Sequence, residues 1–153
     1  MAKSPNMSSG PVAIVDSLNS LVEAELNSLF RFMGEGSPYL NRASAEMRAP
    51  LLKMVAESER HAEEIATLIE SLNGTPAIRT VQPEEQYLAY LSIKFLLPKL
   101  IADKKLMIER NENVIGSLGQ IDPAIIAVLK KHIAEHQADI TVLEKAAASA
   151  LKK

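Results

Sequence analysis

The sequence has no cysteine and no tryptophan, and among its 153 residues only three Tyr and three Phe supply aromatic surface. Without cysteine there is no disulfide, no thiolate metal site, no iron–sulfur cluster and no cysteine nucleophile. With so few aromatics, a sheet-based core is a poor expectation, because strands lean on β-branched and aromatic side chains. Charge of one sign is lacking too. Lys and Arg total 17 against 19 Asp and Glu, a net charge of -2 with no basic cluster, so nucleic acid is not an expected partner. Nor is there a long hydrophobic run. The stretch Tyr87-Leu88-Ala89-Tyr90-Leu91-Ser92-Ile93-Lys94-Phe95-Leu96-Leu97 is short and interrupted by Lys94 and then Lys99, so no membrane span is expected. The first ten residues are polar, and the Val-Ala-Ile-Val run after them is too brief for a signal-peptide core. A cytoplasmic protein is the expectation.

What is present is Leu, Ala and Ile at helical spacing, with hydrophobic residues at 47%. Residues 1–10 read as a disordered tail and residues 11–150 as one all-α domain, a length that can bury a sizeable core. Pro11 suits a first helical position. The first helix carries Val15, Leu18, Val22, Glu25, Leu29 and Phe32 on one stripe and is expected to end at Gly34-Glu35-Gly36, with Ser37-Pro38 opening a short turn. A second helix over about 44–73 carries Met54, Ser58, His61, Ile65, Leu68 and Leu72, with Pro50 early in it and Gly74 as its stop. A third is expected from about Leu97-Pro98 to Ser117. Asp122-Pro123 pairs a cap with a first-turn proline and opens a fourth, whose stripe is Ile126, Leu129, Ile133, His136, Ile140 and Leu143. Two short links and one long middle connection give a four-helix bundle with a crossover between helices 2 and 3.

Three polar residues sit at inward positions near the middle of three helices: Glu25, His61 beside Ser58, and His136. Antiparallel helices of similar length place their midpoints in one layer, so the three can meet. A buried carboxylate costs several kcal/mol unless paired or neutralised. Two imidazoles and a carboxylate answer that cost by hydrogen-bonding one another, or as two nitrogen ligands and one oxygen ligand of a divalent metal such as Fe, Zn or Mn. Glu57 and His132, each one turn before a core histidine, are secondary candidates for a two-metal site and are expected at the stripe edge, partly wet. The run Glu57, Glu59, Glu63, Glu64 with Arg60 reads as a solvated face.

Around these residues the chain resembles the ferritin-like superfamily, and within it the bacterioferritin and rubrerythrin branch. The similarity spans Leu18 through Leu143. Leu18-Asn19-Ser20-Leu21-Val22-Glu23-Ala24-Glu25-Leu26 resembles the first-helix motif whose glutamate is a terminal iron ligand, a role that would fall on Glu25. Ser58-Glu59-Arg60-His61-Ala62 falls on the second-helix Glu-x-x-His motif, with His61 matching and Ser58 replacing the bridging glutamate. Ile133-Ala134-Glu135-His136 falls on the other, with His136 matching and Ile133 in place of the second bridge. For the terminal glutamate of the third helix, the count lands near Leu100, Ile101 and Ala102, and the nearest acid is Asp103. The resemblance therefore implies a ferritin-like protein without a full ferroxidase centre. No haem is expected, because Glu59 stands where bacterioferritins carry the haem-ligating methionine. Three functions remain open. One is a structural or binding protein with a residual Glu–His–His cluster. Another is a mononuclear metal protein or oxidoreductase using two histidines and Glu25. The third is iron storage in a shell. The apolar run 87–97 is expected to pack along the bundle and to join two chains, in a homodimer or larger homo-oligomer.

Overall fold

A computed structural model describes residues 11–33, 45–77, 93–118 and 122–151. Four helices carry them: α1 (Pro11–Leu26), α2 (Ala45–Ser71), α3 (Ile93–Leu118) and α4 (Pro123–Leu151), with a 3-10 segment, Leu29–Met33, after α1. The expected tail at 1–10, the turn at Ser37-Pro38 and most of the α2–α3 connection, residues 78–92, lie outside the described residues.

The helices pack so that one end of the bundle holds Leu18, Leu21 and Val22 of α1, Ile65 and Ile69 of α2, Val114 of α3, and Ile125 and Leu129 of α4. The other end holds Phe30, Met33, Leu51, Met54, Leu96, Leu97, Leu100 and Leu143. Thus α1 runs antiparallel to α2, and α3 antiparallel to α4. The C-terminal halves of α2 and α3 share one end, however, so these two helices run parallel. The connection between them must therefore return the length of the bundle, about 40 Å for the 27 residues of α2 at ~1.5 Å each. That is the crossover topology.

Local chemistry fixes the ends. Asn73 takes the left-handed conformation at φ 64°, and the Gly74 and Asn73 amides donate to the Ile69 and Glu70 carbonyls, closing α2 in a Schellman turn. Gly74, expected as the stop, has a different duty: a Cβ there would lie 2.8 and 2.9 Å from the two Val15 methyls. Its bareness lets the end of α2 close on α1. Asn19 holds the next residues, donating to the Thr75 carbonyl and accepting from the Ala77 amide. At α4, Asp122 Oδ1 accepts from the Ala124 amide at 2.8 Å, the cap that Asp-Pro foretold.

Two boundaries differ from expectation. The first helix stops at Leu26 rather than running to Gly34, because the Asn27 side chain bonds the Glu23 carbonyl and Asp103 of α3 accepts the Leu29 amide. The 3-10 segment then shifts the phase, and Phe30 and Met33 enter the core. The third helix begins at Ile93, not near Leu97, and carries Pro98 inside it, where the solvent-exposed side accommodates the missing amide.

Candidate functional site

Between the two apolar ends lies a charged layer, built by four stripes in register. In α4 the buried positions are Ile125, Leu129, His132, His136, Asp139 and Leu143, alternating by four and three. In α3 they are Leu97, Leu100, Lys104, Met107, Asn111 and Val114. The same phase in α2 buries Met54, Glu57, Ser58, His61 and Ile65, and in α1 Leu18, Leu21, Val22 and Glu25.

Glu25 stands at the centre. Its Oε2 accepts from His61 Nδ1 at 3.1 Å and from His136 Nε2 at 3.0 Å. Burial alone would raise this carboxyl, but the hydrogen bonds from His136 and His61, with the charge of His61, outweigh it and hold it at about 2. The partners on the far side of each ring assign the protons. His61 Nε2 meets Glu135 Oε1 at 2.7 Å, so both ring nitrogens face carboxylates and both donate. Accordingly, although burial opposes charge on His61, its bonds to Glu25 and Glu135 lift its pKa above the ordinary value. Glu135 is held in turn by Arg60 at 3.0 and 3.1 Å. His136 Nδ1 faces Lys104 Nζ at 3.2 Å. An ammonium only donates, so Nδ1 accepts and the ring proton sits on Nε2, toward Glu25. His136 is thus neutral. Burial, with the charges of Lys104 and His61, depresses its pKa against the pull of Glu25.

Lys104 is 1% exposed, with Nζ 3.0 Å from Asp139 Oδ2, 3.7 Å from Glu57 Oε1, and 4.5 Å from the Phe30 ring centroid. Burial and the neighbouring Asp139 push Glu57 up to about 7, while Asp139, despite burial, is held low by Glu57 and Lys104. Of the two, Glu57 is therefore the one that takes up a proton first. On the other flank His132 stacks on His61, centroids 3.9 Å apart, and donates from Nε2 to Glu64 Oε1 at 2.7 Å. Burial and the adjacent charge of His61 take His132 down to about 4. Two sets of ligating atoms lie within 4.8 Å of one another among the described residues: Glu25, His61 and His136, and Glu57, His136 and Asp139.

No protein-family model matches this sequence, and no curated protein does. Solved structures do. The bacterioferritin of Desulfovibrio desulfuricans, a protein with a diiron site, superposes with TM-score 0.78 over 90% of this chain and 80% of its own, at 18% identity. The fold is ferritin-like. A dodecameric thioferritin, the bacterioferritin-related protein of Bacteroides fragilis, superposes with TM-score 0.66 over 94% of this chain and 90% of its own, also at 18% identity.

Within this ferritin-like bundle, Glu25, His61 and His136 meet in one buried layer, with Ser58 buried beside them and Ile133 half-buried. Glu57 and His132 are not at a wet edge. They are buried at 7% and 0% exposure, because the inward faces of α2 and α4 are wider than the single line read from sequence. The acidic run of α2 is correspondingly split: Glu59 and Glu63 are exposed, Glu57 is in the core, and half-buried Glu64 meets His132. Asp103 does not join the trio; it accepts the Leu29 amide at 3.3 Å beside a groove between α1 and α3. The α3 residue that enters the layer is Lys104. Sequence reading missed it, along with Asp139, although each lies in an unbroken three-and-four alternation of buried residues.

Proposed function

We propose that this protein keeps its central layer as a metal-free network and serves a structural or binding role, assembling with copies of itself, without a ferroxidase centre. The contact of Lys104 with His136 Nδ1 carries this reading. It sets the ring so that Nε2 bears a proton toward Glu25, which makes His136 a donor there and not a ligand. The layer also neutralises itself. Glu25, Glu64, Glu135 and Asp139 face His61, Arg60, Lys104 and, at 3.8 Å, Lys131. No further cation is needed to make their burial tolerable. The two iron ions of the family do not fit. A dinuclear centre needs bridging carboxylates, and Ser58 and Ile133 stand at the bridging positions that the resemblance gives. A metal ion near His136 would also face the Lys104 ammonium, at roughly 4 kcal/mol of repulsion per unit charge at ~4 Å.

For assembly, the support is surface. Phe95, at the N-terminal end of α3, is 65% exposed beside the buried Leu96 and Leu97, an apolar ring for another chain to cover. A homodimer or larger homo-oligomer in the cytoplasm follows as our reading; one of the two structural neighbours is itself a dodecamer. No helix among the described residues is long and apolar enough to cross a membrane. Elemental analysis of protein purified without chelator tests the central point. Iron, zinc and manganese well below one equivalent per chain are expected, and a full equivalent of any of them would overturn the reading.

A second reading has one observation in its favour. Glu25 Oε1 is buried with no hydrogen-bond partner, and His61 is backed by Glu135 and Arg60 as metal-ligating histidines commonly are. Glu25, His61 and His136 would then hold a single divalent ion. Lys104 would first have to leave His136 Nδ1.

A further inference from the structure

We propose that Glu57, His136 and Asp139 form a divalent-cation site whose occupant is the chain's own Lys104 ammonium, so that ammonium and metal exclude one another. The proposal rests on reading Lys104 as the cation of the central layer, and it adds a ligand class for the place that Lys104 fills.

Three observations carry it. The ligating atoms of Glu57, His136 and Asp139 come within 4.8 Å of one another, a spread that one ion can bridge. The two acids are 7% and 5% exposed, and their oxygens Glu57 Oε1 and Asp139 Oδ2 make no aligned hydrogen bond. Lys104 Nζ approaches them at 3.7 and 3.0 Å. Finally, His136 offers the cluster Nδ1, the nitrogen turned away from Glu25, so this donor set differs from the Glu25–His61–His136 trio. Two carboxyl oxygens and one imidazole nitrogen suit Mn(II), Co(II) or Zn(II). A lysine is a compact point charge on a flexible stem, and here it reaches from α3 across Phe30 into the space such an ion would take.

The test is Co(II) binding to metal-free protein, followed by calorimetry and visible absorption. Lys104→Met keeps the stem and removes the charge. It should bind one more Co(II) per chain than the parent, at least tenfold more tightly than any parent binding at this cluster, and its melting temperature should rise when Co(II) is added. The added ion should vanish in Lys104→Met with Asp139→Asn and persist in Lys104→Met with Glu25→Gln. If Lys104→Met does not fold, Lys104→Gln leaves a neutral donor in the layer and should show the same gain. No gain in the variant that folds, or an added ion indifferent to Asp139→Asn, would overturn the proposal. Failure of the metal-free reading is separate: it would show as metal in the parent as purified, lost on Glu25→Gln alone.

Discussion

Replacing Glu25 by Gln removes one charge from the centre of the bundle with almost no change of shape. The amide oxygen can still accept from His61 and His136, so the substitution isolates the ionic part of the interaction. Its magnitude follows from the carboxyl itself, which burial would raise but which His136 and His61 hold at about 2 against an ordinary 4.5. At about 1.4 kcal/mol for each tenfold change in proton affinity, the charged form contributes about 3 kcal/mol to the folded state. A depressed carboxyl stabilises fully above its unfolded pKa and loses that contribution as pH falls through the folded one. The stability of Glu25→Gln should therefore fall about 3 kcal/mol below the parent at neutral pH. For a chain of this length, that is roughly 6–12 °C in melting temperature. The gap should begin to close below about pH 4.5 and be largely gone near pH 2. Melting followed by circular dichroism, for both proteins across that range, reads it directly. Equal melting temperatures at neutral pH, or a gap as wide at pH 2 as at pH 7, would refute the electrostatic account of the layer.

Gly74→Ala would drive a methyl into Val15, and overpacking of this kind costs about 1–3 kcal/mol, with Val15→Ala in the same chain expected to recover part of it. An unchanged melting temperature for Gly74→Ala would show that the α1–α2 contact is looser than 2.8 Å implies. Phe95→Lys, at an exposed site, should leave the stability of the fold within about 0.5 kcal/mol and shrink the species seen by light scattering at tens of micromolar. The same mass with Phe95 and with Lys at that position would mean that another surface makes the assembly contact.

The bundle was legible because helical periodicity and punctuation agree along this chain. Asp122-Pro123 caps and opens α4 as the residue types require, and Glu25, His61 and His136 fall inward on stripes that a helical wheel exposes. The α2–α3 crossover followed from one long connection among short ones. What stayed hidden has physical causes. Helix α1 breaks at Leu26 because Asp103, distant in sequence, captures the Leu29 amide, and no local signal announces that bond. The inward faces of α2 and α4 are wider than a single line of apolar residues, so Glu57, His132 and Asp139 turn inside although charge suggests water. Lys104 was missed for the same reason: a lysine between Leu100 and Met107 reads as a surface break until Asp139 and Glu57 appear opposite it. Buried charges are chosen in sets. A set distributed over three helices is visible only once they are packed.

Lys104 closes the layer and leaves His136 a donor to Glu25. Long-range proton–nitrogen correlation NMR at neutral pH tests it directly, since the chain has only three histidines to assign. His61 should be protonated on both ring nitrogens, and His136 should be neutral with its proton on Nε2 and its bare Nδ1 toward the ammonium. A proton on Nδ1 of His136 with Nε2 bare would contradict it, because that is the form in which His136 would ligate a metal beside Glu25.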